Sequence, residues 1–339
     1  MRTVLVTGGA GYIGSVLTGM LLEEGYRVVV LDRLFFGPTL AHLVGNPNLK
    51  IVKDDIRWFD PSMLQGVDAV LDLAALSNDP VGELNPEKTY EINYKGRVRV
   101  ANLARQKGVK RYVLASSCSI YGFQEEVVDE TSTPNPLTTY SKANYQAEQE
   151  VIPLASKDFV VTVLRQASVY GASLRMRFDT VVNGMTVGLF KTGKLPILRD
   201  GSQWRPIVHV KDTCRAFIAA LEAELQDVNG ELFNVGADEQ NVQILPLAER
   251  VAKALGRPLQ IEWYGFPDHR SYRTTFKKIE QKLGYKTLYS IEDGVGEIYT
   301  ALEAGRITDG PTTRTVEWYK TLQHWQGVIN SVTQNGVIL

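Results

Sequence analysis

Cysteine is nearly missing from this sequence: only Cys118 and Cys214 occur in 339 residues, with no paired spacing between them. That excludes a disulfide-stapled scaffold and a cysteine-based zinc site. Histidine is almost as scarce, and His42, His209, His269 and His324 are scattered in no metal-binding pattern, so no metal is expected. His209, among apolar neighbours, reads as structural. An excess of charge of one sign is lacking too, since Lys plus Arg number 37 against 38 Asp plus Glu. No basic face is therefore available for nucleic acid or an anionic membrane surface. Any bound anion must be held by a few placed arginines. No apolar run is long enough to span a bilayer, and the chain opens directly on a strand-like run rather than a signal peptide. A cytoplasmic protein is expected, without internal repeats or low-complexity segments.

What is present is alternation. Apolar, β-branched runs recur at Thr3–Thr7, Arg27–Leu31, Leu49–Val52, Ala69–Leu73, Arg111–Ala115 and Val160–Leu164. Helical patterns at Gly14–Glu24, Pro61–Gln65, Glu87–Gln106 and Tyr140–Ala155 lie between most of them. Strand alternating with helix predicts an α/β fold, a doubly wound parallel sheet of Rossmann type. Past Gly171 come helix-like Val181–Lys191, extended Leu195–Leu198 and a turn at Arg199-Asp200-Gly201. Ile207–Val210 and Glu231–Val235 read as strands that rejoin the sheet, and the chain from Ile244 onward as a mostly helical tail. The expected division is a dinucleotide-binding domain of residues 1–171 plus about 206–236, and a smaller substrate lobe of about 172–205 and 237–339.

The first strand runs into Gly8-Gly9-Ala10-Gly11-Tyr12-Ile13-Gly14, and a helix-like segment follows. Glycines let the backbone turn tightly beside a pyrophosphate, and a helix N-terminus presents unpaired N–H groups to the anion. The next strand ends at Asp32, whose carboxylate can accept hydrogen bonds from both hydroxyls of an adenine ribose and repels a 2′-phosphate. NAD is thus favoured over NADP, although the adjacent Arg33 could tolerate a phosphate.

Two further segments carry chemistry: Ser116-Ser117-Cys118-Ser119-Ile120-Tyr121-Gly122 after a strand, and Tyr140-Ser141-Lys142-Ala143-Asn144 opening a helix. With the glycine loop, Asp55-Ile56, Leu73-Ala74-Ala75, Asn93, Leu164-Arg165, Val169-Tyr170-Gly171, Gln203-Trp204-Arg205-Pro206, Phe233-Asn234-Val235-Gly236 and Asp268-His269-Arg270, these resemble the extended short-chain dehydrogenase/reductase family over nearly the whole chain. More narrowly, they are similar to its NAD-dependent nucleotide-sugar epimerases and dehydratases. The resemblance implies hydride exchange between a sugar carbon and a nicotinamide, with Tyr140 as base and Ser117 holding the same oxygen. It places Asp55 and Ile56 near the adenine, and Leu73, Ala74 and Ala75 along the cofactor. It implies that Arg205 and Arg270 grip a substrate diphosphate, that Thr180 and Asn183 touch the same group, and that Ser77, with Asn78 and Asp79, borders the sugar. Arg175 and Arg177 lie nearby. Trp204 suits either a base pocket or the core. For the helices Glu87–Gln106 and Tyr140–Ala155 the resemblance implies pairing across a two-fold axis, in a homodimer.

The chain departs from the pattern at the fourth residue after the tyrosine. The family has lysine there, binding the nicotinamide ribose and lowering the tyrosine pKa; this chain has Asn144. Asparagine can bond ribose hydroxyls but brings no charge. Lys142 lies about 200° around the helix from Tyr140, on nearly the opposite face. Three readings stay open: slower or pH-shifted activity, compensation by another cation, or binding of NAD and a sugar nucleotide without turnover. Cys118-Ser119 stands where dehydratases carry Asp-Glu, and decarboxylating relatives keep glutamate at the second position, so both reactions are disfavoured. Cys118 reads as a small buried side chain, and Asp72 carries no assigned role. An epimerase that removes and returns hydride is favoured, with a ketoreductase or dehydratase as the alternative.

Overall fold

In the computed structural model, residues 2–266 and 268–338 are described. The first half alternates β1 (Thr3–Thr7), α1 (Tyr12–Glu23), β2 (Arg27–Asp32), β3 (Leu49–Lys53), β4 (Ala69–Asp72), α2 (Asp79–Gly82), α3 (Pro86–Tyr90), α4 (Arg97–Gln106), β5 (Arg111–Ser117), β6 (Phe123–Val128), α5 (Thr139–Val151) and β7 (Val160–Gln166). Then follow β8 (Ser168–Tyr170), α6 (Val181–Thr192), β9 (Leu195–Leu198), β10 (Trp204–His209), α7 (Val210–Glu222), α8 (Leu225–Val228), β11 (Glu231–Val235), β12 (Asn241–Gln243) and α9 (Ile244–Ala254). The chain closes with β13 (Ile261–Tyr264), β14 (Ser271–Thr274), α10 (Lys277–Leu283), α11 (Ile291–Glu303) and α12 (Thr315–Val332).

Seven parallel strands form the central sheet in the order β11-β7-β5-β4-β1-β2-β3. The strand order reverses between β1 and β4, which opens the crevice where doubly wound folds bind ligands. Side chains alternate faces along each strand. Val4 and Val6 pack with Leu17 and Leu21 of α1 and with Phe217 of α7 on one face. Leu5, Tyr112 and Leu114 pack with Val100 and Ala104 of α4 and with Val151 of α5 on the other. All seven residues of β7 are buried, which explains why parallel strands covered on both faces read as apolar runs.

Several expectations shift. Glu231–Val235 joins the main sheet as β11, whereas the strand read at Ile207–Val210 does not: β10 pairs with β8 and β12 in a separate sheet. Both edges of β7 are already taken by β5 and β11. Pro61–Leu64 is a single 3₁₀ turn ended by Gly66 at φ +74. α5 stops at Val151, two residues before Pro153, which has no N–H to continue the ladder. The segment Glu87–Gln106 is interrupted by a π-helical turn at Glu91–Gly96. The tail also contributes β13 and β14, which pair with β9 and β6.

Candidate active site

A cavity of about 1200 Å³ is lined at the carboxyl ends of the central strands by Gly8, Asp32, Leu73, Ser117 and Gln166. At one end Gly8 adopts φ +66, and a Cβ there would lie 2.9 Å from Ala74 Cα. A Cβ on Gly14 would lie 2.1 Å from the Gly8 carbonyl oxygen. The loop therefore stacks on itself and on the β4 end with no room for side chains. α1 starts directly behind it with no acid in its first turn, so its free N–H groups and positive dipole end face the cavity unopposed. Asp32 accepts the N–H of Ala10 (3.0 Å) and of Leu34 (2.7 Å). Burial raises its pKa, and those backbone bonds oppose the rise.

Arg33 pairs with Asp55 at 2.9 Å. Burial works against the Asp55 carboxylate, yet hydrogen bonds from Arg57 and Arg33 hold its pKa below the usual range. Ile13, Ile56, Leu73, Ala74 and Ala75 complete this wall. Tyr12 also lines it, and its hydroxyl donates to the Gly171 carbonyl (2.8 Å).

The C-terminal helix closes the same end. Trp318 Nε1 donates to the Phe35 carbonyl at 2.7 Å, and the Tyr319 ring meets Phe35 and Phe36 edge-on. Arg175 lies 3.6 Å above the Phe36 ring and bonds Thr315 Oγ1. Burial, helped by the neighbouring Arg177, pushes the Arg175 pKa down to about 9, which leaves it charged at neutral pH.

Mid-cavity, Ser117 ends β5 and Tyr140 occupies the first turn of α5. A capping box between Thr138 and Ser141 fixes that turn. Ser117 and Tyr140 line the cavity side by side. Burial raises the Tyr140 pKa and Asp79 adds to the rise, while Arg97, the neighbouring Ser117 hydroxyl and Arg177 pull it down. Ser116 Oγ, Ser119 Oγ, Gln166 Oε1 and Gln203 Oε1 are buried without hydrogen-bond partners among the described residues, and all four side chains line the cavity. Buried polar atoms are rarely left unpaired, so such a cluster suits a ligand rich in hydroxyl and amide groups.

At the far end Arg205 and Arg270 converge on Asp268, with N···O distances of 2.7 and 2.6 Å. Arg270 also pairs with Asp79. Ser77 and Thr180 line the cavity, and Arg177 reaches from its pair with Asp179 (3.0 Å) to Ser77 Oγ (3.3 Å). Asn183 stands outside the cavity lining. It is buried and binds the Gly171 N–H, the Tyr12 hydroxyl and the Arg177 carbonyl, bracing the segment instead. Asn144 also lies outside the lining: its Nδ2 donates to the Tyr140 carbonyl (2.9 Å) and its Oδ1 accepts from Arg97 (2.6 Å). His209 is fully buried between Tyr289 and Glu297 and caps α7, a structural position.

The profile of the NAD dependent epimerase/dehydratase family matches residues 4–236. The chain belongs to this family. It is 25% identical over 307 residues to UDP-glucuronic acid decarboxylase 1 of Danio rerio, covering 87% of this chain and 71% of that protein. The crystal structure of UDP-glucuronic acid 4-epimerase from Bacillus cereus, with UDP-glucuronic acid and NAD, superposes with a TM-score of 0.79 at 26% identity, covering 89% of this chain and 99% of that one. The dTDP-glucose 4,6-dehydratase DesIV of Streptomyces venezuelae superposes with a TM-score of 0.77 at 26% identity, covering 96% and 98%.

As an enzyme of the epimerase/dehydratase family, the protein takes NAD, and its residues fit that cofactor. The glycine loop and α1 offer main-chain donors, Asp32 offers a carboxylate, and the orphaned Ser116 and Gln166 atoms await polar partners. A volume of about 1200 Å³ exceeds the roughly 300–1,000 Å³ usual for one small ligand. Sequence reasoning missed Arg97, Gln166 and Tyr319, and gave Asp268, though part of a quoted motif, no role. For Arg97 a signal existed: it shares the buried stripe of α4 with Val100, Ala101 and Ala104, where a charge is out of place. No helix among the described residues is long and apolar enough to cross a membrane.

Proposed function

We propose that this protein is an NAD-dependent nucleotide-sugar epimerase that works through a keto-sugar intermediate. The observation that carries the reading is the Ser117–Tyr140 pair, set mid-cavity between the glycine loop and the Arg205–Arg270 pair. Bound NAD would supply the site that accepts and returns hydride. Tyr140 removes the hydroxyl proton as the sugar is oxidised and returns it on reduction. Ser117 orients that oxygen. Arg205 and Arg270 exchange part of their pairing with Asp268 for the diphosphate, which suits bidentate guanidinium groups. Ser77 borders the sugar and Thr180 the diphosphate, while Asn183 holds the wall behind them. Asp32 with Arg33, Asp55 and Ile56 receives the adenosine half.

The positions after Ser117 support epimerisation over elimination. Cys118 is fully buried, and burial drives its thiol pKa upward, so it moves no proton at neutral pH. Ser119 is no general acid. The same reading assigns residues 1–171 and about 206–236 to the cofactor, and about 172–205 and 237–339 to the substrate, although Arg175 and Tyr319 stand at the cofactor end. It includes a cytoplasmic homodimer joined through the segments Glu87–Gln106 and Tyr140–Ala155.

The test is incubation with UDP-glucuronic acid, UDP-glucose and NAD in deuterated water. Inversion of a sugar carbon with every carbon-bound hydrogen retained is expected. Loss of water or carbon dioxide with deuterium uptake would replace the epimerase reading with dehydration or decarboxylation.

A further inference from the structure

We propose that Arg97 supplies the buried positive charge that Tyr140 needs as a base, in place of the lysine that position 144 lacks. The inference rests on Tyr140 acting as that base. Arg97 opens α4 immediately after the π-helical turn Glu91–Gly96. Such turns often mark functional sites because they rotate the next side chains out of the regular stripe. Two inward anchors follow from it. Asn93 clamps Leu76 through both its amide atoms (2.8 and 2.9 Å), and Arg97 Nε donates to the Ala74 carbonyl at 3.0 Å. Arg97 is 2% exposed, lines the cavity and donates through Nη1 to Asn144 Oδ1 at 2.6 Å.

No carboxylate among the described residues pairs with Arg97 within 4.0 Å. A buried guanidinium without a counter-ion is unusual, because desolvating an unpaired charge is unfavourable. Its direct hydrogen-bond partners, the Ala74 carbonyl and Asn144 Oδ1, are neutral, so its field reaches both the phenol of Tyr140 and the buried Asp72 carboxylate behind it. Asn144 fits the arrangement: a lysine there would face Arg97 as a like charge, whereas the amide oxygen accepts from it. Other charged groups around Tyr140 largely cancel, since Asp79 is paired with Arg270 and Arg177 with Asp179. Glu83 bonds the Thr139 N–H, and Glu148 is paired with Arg165. Behind Arg97, buried Asp72 accepts from Thr7 and Tyr112.

The test titrates Tyr140 by ultraviolet difference absorbance of tyrosinate, with Tyr140→Phe as the blank, with and without NAD. Arg97→Gln should raise the midpoint by about 1–3 pH units, and Arg97→Lys should leave it near wild type. The low-pH limb of turnover on UDP-glucuronic acid should move by the same amount, with about a tenfold rate loss per unit at neutral pH. Where Arg97→Gln does not fold, Asn144→Lys is compared with Arg97→Gln/Asn144→Lys. A higher midpoint in the double variant supports the inference, and equal midpoints overturn it. An unchanged midpoint in folded, NAD-binding Arg97→Gln also overturns it. Because the titration needs no substrate, absence of turnover on either UDP sugar would count against the epimerase reading alone.

Discussion

The cofactor end and the reacting centre of the cavity are built by different means. At the cofactor end the groups that meet a ligand are largely main-chain N–H groups, placed by Gly8, Gly11 and Gly14 within one turn of chain. At the reacting centre they are side chains from separate elements: Ser117 from β5, Tyr140 from α5, Arg97 from α4 and Arg177 from the segment after β8. A main-chain site tolerates change in most side chains but almost none in its glycines. A side-chain site can exchange one charged group for another from elsewhere, as Arg97 and Asn144 illustrate.

The sharpest break in this contrast is Tyr140→Phe. It should lower turnover roughly 10²–10⁴-fold while NAD affinity and thermal unfolding stay unchanged, as read by steady-state kinetics beside calorimetric NAD titration. A parallel loss of NAD affinity would mean that the two ends are not separable. Next comes Gly14→Ala. Its Cβ would meet the Gly8 carbonyl at 2.1 Å, and overpacking of about 1–3 kcal/mol should weaken the Kd for NAD about five- to hundredfold. The Tyr140 titration in the apo protein should not move. The smallest effect is expected from Asp32→Asn, whose amide cannot accept from both Ala10 and Leu34. NAD should bind about tenfold more weakly, and discrimination against NADP should narrow. Unchanged discrimination would show that the extra phosphate is excluded by something other than the Asp32 charge, with the Asp55 carboxylate that ties up Arg33 as the nearest candidate.

This contrast also governs what was legible in the sequence. The glycine loop, Asp32 and the β1-α1-β2 unit depend on contacts close in sequence, and they stand where the spacing put them. So do Ser117 and Tyr140, each fixed by its place at a strand end or helix start. Arg97 and Asn144, 47 residues apart, meet where α4 leaves the π-helical turn and packs against α5. No residue-by-residue periodicity announces that turn. The departure at Asn144 was visible, but its partner could be found only once the two helices were packed. Asn183 differs from the expectation in its partners: its amide is taken up by Gly171, Tyr12 and Arg177 rather than left facing the cavity. Likewise, β10 reads as a strand of the main sheet until β11 is seen to hold the free edge of β7.

The Trp318–Phe35 hydrogen bond joins residues 283 positions apart. Tyr319 and Gln323, from the same helix, are part of the cavity wall. A ribosome that has delivered the whole parallel sheet has therefore still not delivered one side of the cofactor site. During synthesis the glycine loop waits open until α12 has been made and has packed. Stop codons or proteolytic nicks ahead of α12 should accordingly spare much of the folded core while leaving the adenosine end unsealed.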